Sequence, residues 1–151
     1  MPTPLRFRNV DASPDDPVAS WPFEGLLAAL ERGTLPDWRR LVSAIDADPW
    51  GKVAREVEDA LRLDLPYGVA ALFAATLEDA RSRAAASERR EVADDVCRLV
   101  ERSGLSRAEL AERIGTTASR LSTYVAGKVV PSAALLVRMR RVAGAAGAPG
   151  C

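Results

Sequence analysis

Residues 114–132, IGTTASRLSTYVAGKVVPS, form a polar stretch of small side chains between two strongly helical segments. The Gly-Thr-Thr opening, the Leu121-Ser122 pair and the Gly-Lys close have the pattern of a short helix held at a fixed angle to its neighbours. Its chemistry is that of hydroxyls and a single arginine, Arg120, with no Gln or Asn to supply an amide. Bond-making chemistry has little to work with anywhere in the chain. There is no His, which removes the usual general base and the commonest neutral metal ligand. Asp15-Asp16 and Asp94-Asp95 read as solvated pairs and Asp46 with Asp48 as helix-capping residues, while Cys97 and Cys151 make no disulfide or metal framework. The expectation is a chain with no catalytic residues, no metal site and no cofactor, and therefore not an enzyme.

Charge points to a different kind of partner. The overall balance is zero, but it is unevenly spread. Residues 1–80 hold 8 basic and 14 acidic side chains, whereas residues 98–151 hold 9 basic and 3 acidic. A polyanion would be attracted by the C-terminal third and repelled by the rest. The N-terminus has no apolar run of signal-peptide type, no segment has the length of a membrane span, and the cysteine usage suits a reducing compartment, so a cytoplasmic chain with no membrane partner is expected.

The elements that must position these residues read as all-α. Ala is abundant, Thr, Tyr, Phe and Ile are scarce, and apolar positions recur at helical spacing. Residues 1–19, with four prolines, are expected to be a disordered arm. Ser20, then Thr34 with Asp37 three residues on, then Asp48-Pro49, then Pro66 mark the starts of four helices in a helical N-terminal domain, residues 20–86. Trp21, Trp38 and Trp50 lie at or near those starts and are expected to be core and staple residues. A second domain, residues 87–143, opens at Ser87 and continues through a helix stopped by Gly104. A short helix follows that is capped by the Ser106-Glu109 box and stopped by Gly115, then one capped by Thr117 and stopped by Gly127, then one begun by Pro131-Ser132. Residues 144–151 are expected to be a flexible tail.

Two short helices joined by a turn containing Gly, with a small residue where they cross, are what a helix-turn-helix requires, and Ala111 and Gly115 supply both. Residues 105–139, LSRAELAERIGTTASRLSTYVAGKVVPSAALLVRM, closely resemble the phage repressor and Cro-type helix-turn-helix, the XRE family. Leu105, Ser106, Glu109, Leu110, Ala111, Gly115, Thr117, Leu121, Ser122, Gly127 and Pro131 stand where that family's pattern expects them. The preceding helices resemble the N-terminal extension of such regulators in actinobacteria. The resemblance implies a five-helix domain in which the first helix of the pair braces on the DNA backbone and the second lies in the major groove. It implies phosphate contacts from Arg107, Thr117 and Lys128, and base-facing positions at Ala118, Ser119, Ser122 and Thr123, with Arg120 on their flank.

Two departures from the family pattern bear on specificity. Ala118 stands where many members read adenine with Gln, so readout must lean on hydroxyls, methyl contacts, DNA shape and the two arginines, Arg107 and Arg120. Val100 and Val125 replace an Arg and Glu that pair in many members, exchanging a buried ion pair for an apolar contact. The function implied is that of a DNA-binding transcriptional regulator acting as a homodimer on a palindromic double-stranded site. The competing reading is an antitoxin-like interaction protein, whose acidic N-terminal helices neutralise a protein partner while the helix-turn-helix autoregulates. That reading requires several of Trp21, Phe23, Trp38, Trp50, Tyr67 and Phe73 to be uncovered.

Overall fold

The computed structural model describes residues 3–146. Among them there is no strand. A 3-10 turn at Val18–Ser20 precedes seven α-helices: α1 (Phe23–Arg32), α2 (Leu35–Ala47), α3 (Lys52–Ala60), α4 (Val69–Ser103), α5 (Arg107–Ile114), α6 (Ala118–Val125) and α7 (Ala133–Ala146). The chain divides into two compact units, Met1–Ala84 and Ala85–Cys151, with the division inside α4. Two separate helices were expected over this region, the second starting at Ser87. The structure replaces them with one helix of 35 residues. The physical reason is local: from Ala80 to Glu91 the chain has neither Gly nor Pro and is rich in Ala, Arg and Glu, so one serine has nothing to interrupt.

The first unit is built on Trp21, Leu26, Leu30, Leu41, Ile45, Val57 and Phe73, all fully buried. In α1 the buried Leu26, Ala29 and Leu30 fall at i, i+3 and i+4, and in α3 Val53, Val57 and Ala60 share one side in the same way, which gives each helix one apolar face. Thr34 caps α2 as expected, its amide donating to the Asp37 carboxylate at 2.8 Å. Three other starts fall later than expected, that of α4 coming at Val69 after a turn that follows Pro66. Ser20 donates its hydroxyl to the Pro17 carbonyl and closes the 3-10 turn, leaving Pro22 as the N-cap of α1. Residues 48–51 form a turn, so α3 begins at Lys52, after Gly51.

The expectation of a disordered arm does not hold for the described part of residues 1–19. Leu5 and Phe7 pack on the core, and the Phe7 ring meets Trp21 edge-on with centroids 5.1 Å apart. Arg40 donates to the carbonyls of Pro14 and Asp16, the latter at 2.7 Å, while its guanidinium lies over the Trp21 ring. The tryptophans divide in their roles. Trp21 is fully buried, and Trp38 is half-buried with its Nε1 donating to the Ala29 carbonyl at 2.9 Å. Trp50 is 54% exposed, contrary to the expectation of a core residue. Arg81 roofs it, its guanidinium carbon 5.0 Å from the ring centroid and its two terminal nitrogens paired with Glu58 at 2.9 and 3.0 Å.

The second unit packs the C-terminal part of α4 with α5, α6 and α7 around Val96, Leu99, Leu110, Ile114, Leu121, Tyr124, Leu135 and Met139. The described residues therefore hold four helical segments of this unit where five were expected, because α7 takes up all of the chain from Ala133 to Ala146. Gly144, Ala145 and Ala146, expected in the flexible tail, complete α7, and residues 147–151 of that tail lie outside the described residues.

Candidate nucleic-acid interface

Three residues, Gly115 to Thr117, separate α5 from α6, and local hydrogen bonds set each side of this corner. At the start of α5 the Ser106 amide donates to the Glu109 carboxylate at 2.8 Å, and the Glu109 amide donates back to the Ser106 hydroxyl at 3.3 Å. The Ser106 hydroxyl, and then its amide, hold the Glu109 carboxyl below its ordinary value. At the end of α5, Gly115 takes φ 78°, its amide donates to the Glu112 carbonyl and the Thr116 amide to that of Ala111. This left-handed termination is one that glycine enters without steric cost. Thr117 then accepts the Arg120 amide at 3.2 Å and caps α6. Leu110, Ala111, Ile114, Leu121 and Tyr124 are buried in the angle between the helices, where the small Ala111 permits close approach.

This corner leaves one end of α6 open to solvent. Thr117, Ala118, Ser119 and Arg120 are exposed, as are Arg107 at the first position of α5 and Lys128 beyond the end of α6. Among the described residues no ion pair engages Arg107, Arg120 or Lys128, so their charge is available to a ligand. Ser122 and Thr123 differ from Ser119. Both are half-buried, and their hydroxyls donate to carbonyls of their own helix, Ser122 to Ala118 at 3.0 Å and Thr123 to Arg120 at 2.7 Å. With the hydroxyl proton so used, each oxygen is left able to accept a further hydrogen bond.

Val100 and Val125 both lie half-buried and pack against the same core. The structure adds a residue that the sequence pattern did not reveal. Arg138 on α7 donates from Nη1 to the Ile114 carbonyl at 3.2 Å and so ties α7 to the end of α5. Its only trace in the sequence is a charge on an amphipathic helix, because its partner lies 24 residues away.

A family model for a helix-turn-helix domain matches residues 72–149. No curated protein and no solved structure gives a match.

Proposed function

The chain belongs to the helix-turn-helix domain family, and we propose that it is a sequence-specific transcriptional regulator of the XRE type. It reads the major groove through α6 and binds a palindromic site as a homodimer. The observation that carries this reading is the α5–α6 corner itself, with a capped and exposed helix end flanked by cations that, among the described residues, no ion pair engages. Exposed amides at the Thr117 cap and the side chains of Arg107 and Lys128 suit phosphate oxygens, which position the protein without reading sequence. Ala118, Ser119 and Arg120 supply the base-facing end, where Ala118 suits a thymine methyl and Arg120 a guanine edge. Ser122 and Thr123, as acceptors, suit the amino groups of adenine or cytosine.

Dimerisation follows from reach. One reading helix of this length spans only a few base pairs, and useful discrimination takes two of them about one helical turn apart. The basic C-terminal third carries the attraction for DNA, and the acidic first unit contributes dimer contacts or receives a protein partner. Cytoplasmic localisation, on the nucleoid, belongs to the same reading. No helix among the described residues is long and apolar enough to cross a membrane. Of the six aromatics that an antitoxin-like binding face would leave uncovered, Trp21 and Phe73 are buried, Phe23 and Trp38 half-buried, and Trp50 and Tyr67 exposed.

Electrophoretic shifts with genomic fragments test the proposal. Arg107→Ala and Arg120→Ala each weaken binding, and affinity falls steeply as salt rises. Equal affinity at low and high salt, or no loss in either variant, removes the DNA reading.

A further inference from the structure

The turn after α6 carries further cations, at the end of the helix opposite its Thr117 cap. Gly127 takes φ 71°, and the Ala93 methyl lies 3.4 Å from where a side chain on Gly127 would begin. The left-handed φ favours glycine at this turn, which lies within van der Waals range of α4. The approach leaves a surface concavity of about 410 Å³ walled by Arg89, Arg90 and Asp94 of α4 and by Val125, Ala126 and Gly127. Lys128 follows directly, its backbone amide donating a hydrogen bond to the Thr123 carbonyl at 3.1 Å. Arg89, Arg90 and Lys128 are all exposed, and among the described residues none is in an ion pair. Arg89 and Arg90 stand on the wall of the concavity with one carboxylate, Asp94, and Lys128 lies one residue beyond Gly127.

This rim stands beside the end of α6 opposite its Thr117 cap. The major groove of B-DNA is about 12 Å wide and admits an α-helix by its diameter. A helix seated in the groove thus lies between two phosphate strands. Arg107 and Thr117 serve the first. We propose that Arg89 and Arg90, together with Lys128, contact the phosphates of the opposite strand, so that the upstream turn of α4 is part of the DNA-binding surface. This rests on the DNA-binding reading given above, and extends it to residues that lie outside the helix-turn-helix pair.

Phosphate binding of this kind is sequence-independent, so no operator is needed to test it. The full chain is titrated by fluorescence anisotropy onto a labelled mixed-sequence DNA duplex over a range of salt concentrations. Removing one phosphate-binding cation lowers the slope of log K against log salt by about 0.9, so the doubly substituted R89A/R90A chain should show a slope smaller by about 1.8 while R89K/R90K keeps the wild-type value. An unchanged slope in R89A/R90A overturns the inference. A lowered melting temperature beside that unchanged slope would assign the two arginines to the carbonyl end of α6 instead. If Arg120→Ala still weakens binding in that case, the DNA reading stands without these contacts. A wild-type chain that binds no duplex at any salt concentration overturns both.

Discussion

Arg138 and Ile114 are joined across 24 residues by a hydrogen bond of 3.2 Å from the guanidinium to the backbone carbonyl. Ile114 is the last residue of α5, and its carbonyl has no amide partner within the helix. Arg138→Ala should therefore destabilise the second unit by about 1 kcal/mol, the scale of one net hydrogen bond, in urea unfolding followed by circular dichroism. Arg138→Lys, with a single point charge in place of the planar fork, should recover only part of that loss.

The turn between α5 and α6 has a defined cost of alteration. Gly115 at φ 78° is left-handed, so Gly115→Ala should cost about 1 kcal/mol or more from backbone strain alone. Thr117→Ala removes the hydroxyl that accepts the Arg120 amide and should cost about 1 kcal/mol. Both should appear as lower melting temperatures. A melting temperature unchanged in Gly115→Ala would contradict the left-handed corner.

Acid should weaken the start of α5. The Glu109 carboxyl is held below its ordinary value by Ser106, so its contribution to stability is fully present above the unfolded-state value and is lost as pH falls through the lowered one. Glu58 behaves in the same way, held down by the hydrogen bonds and charge of Arg81. In thermal melts at a series of acidic pH values, Glu109→Gln should flatten the acid-side decline of the wild-type chain. An identical decline in the variant would show that the capping box is not formed.

Two tryptophans should respond in opposite ways. Trp21 is fully buried, meets Phe7 edge-on and donates from Nε1 to the Asp16 carbonyl at 3.0 Å. Trp21→Ala should cost about 3–5 kcal/mol, as cavity-forming substitutions of large aromatics do. Trp50 is mostly solvent-exposed beneath Arg81, so Trp50→Ala should cost about 1 kcal/mol or less, which denaturant midpoints would resolve.

Within the proposed regulator, Ser122 and Ser119 should differ in what they read. The Ser122 hydroxyl donates to the Ala118 carbonyl and is left to accept from a base amino group. Selection from a randomised duplex library should show Ser122→Ala losing a preference for adenine or cytosine at one position. Ser119→Ala should lose no such donor-specific preference, because the exposed Ser119 hydroxyl can both donate and accept.

Features of the helix-turn-helix visible in the sequence are those whose partners lie within a few residues. Ser106 with Glu109, Thr117 with the Arg120 amide, and Gly115 with the carbonyls of Ala111 and Glu112 are each closed inside about one turn of helix, so their residue types and spacing alone announce them. The same local rule fails at Ser87. That residue has the makings of a cap but lies in a run of strong helix formers, and α4 passes through it unbroken.

Helix content, the capped corner and the segregation of charge were determined by the sequence itself, because propensity, capping and net charge are properties of neighbouring residues. Tertiary structure alone decided which tryptophan is buried, that Arg40 holds the N-terminal segment through the carbonyls of Pro14 and Asp16, that Arg138 ties α7 to the end of α5, and that Arg89 and Arg90 stand beside the end of α6. Each of these depends on groups far apart in the chain, and burial and long-range hydrogen bonding come into being only when distant helices pack.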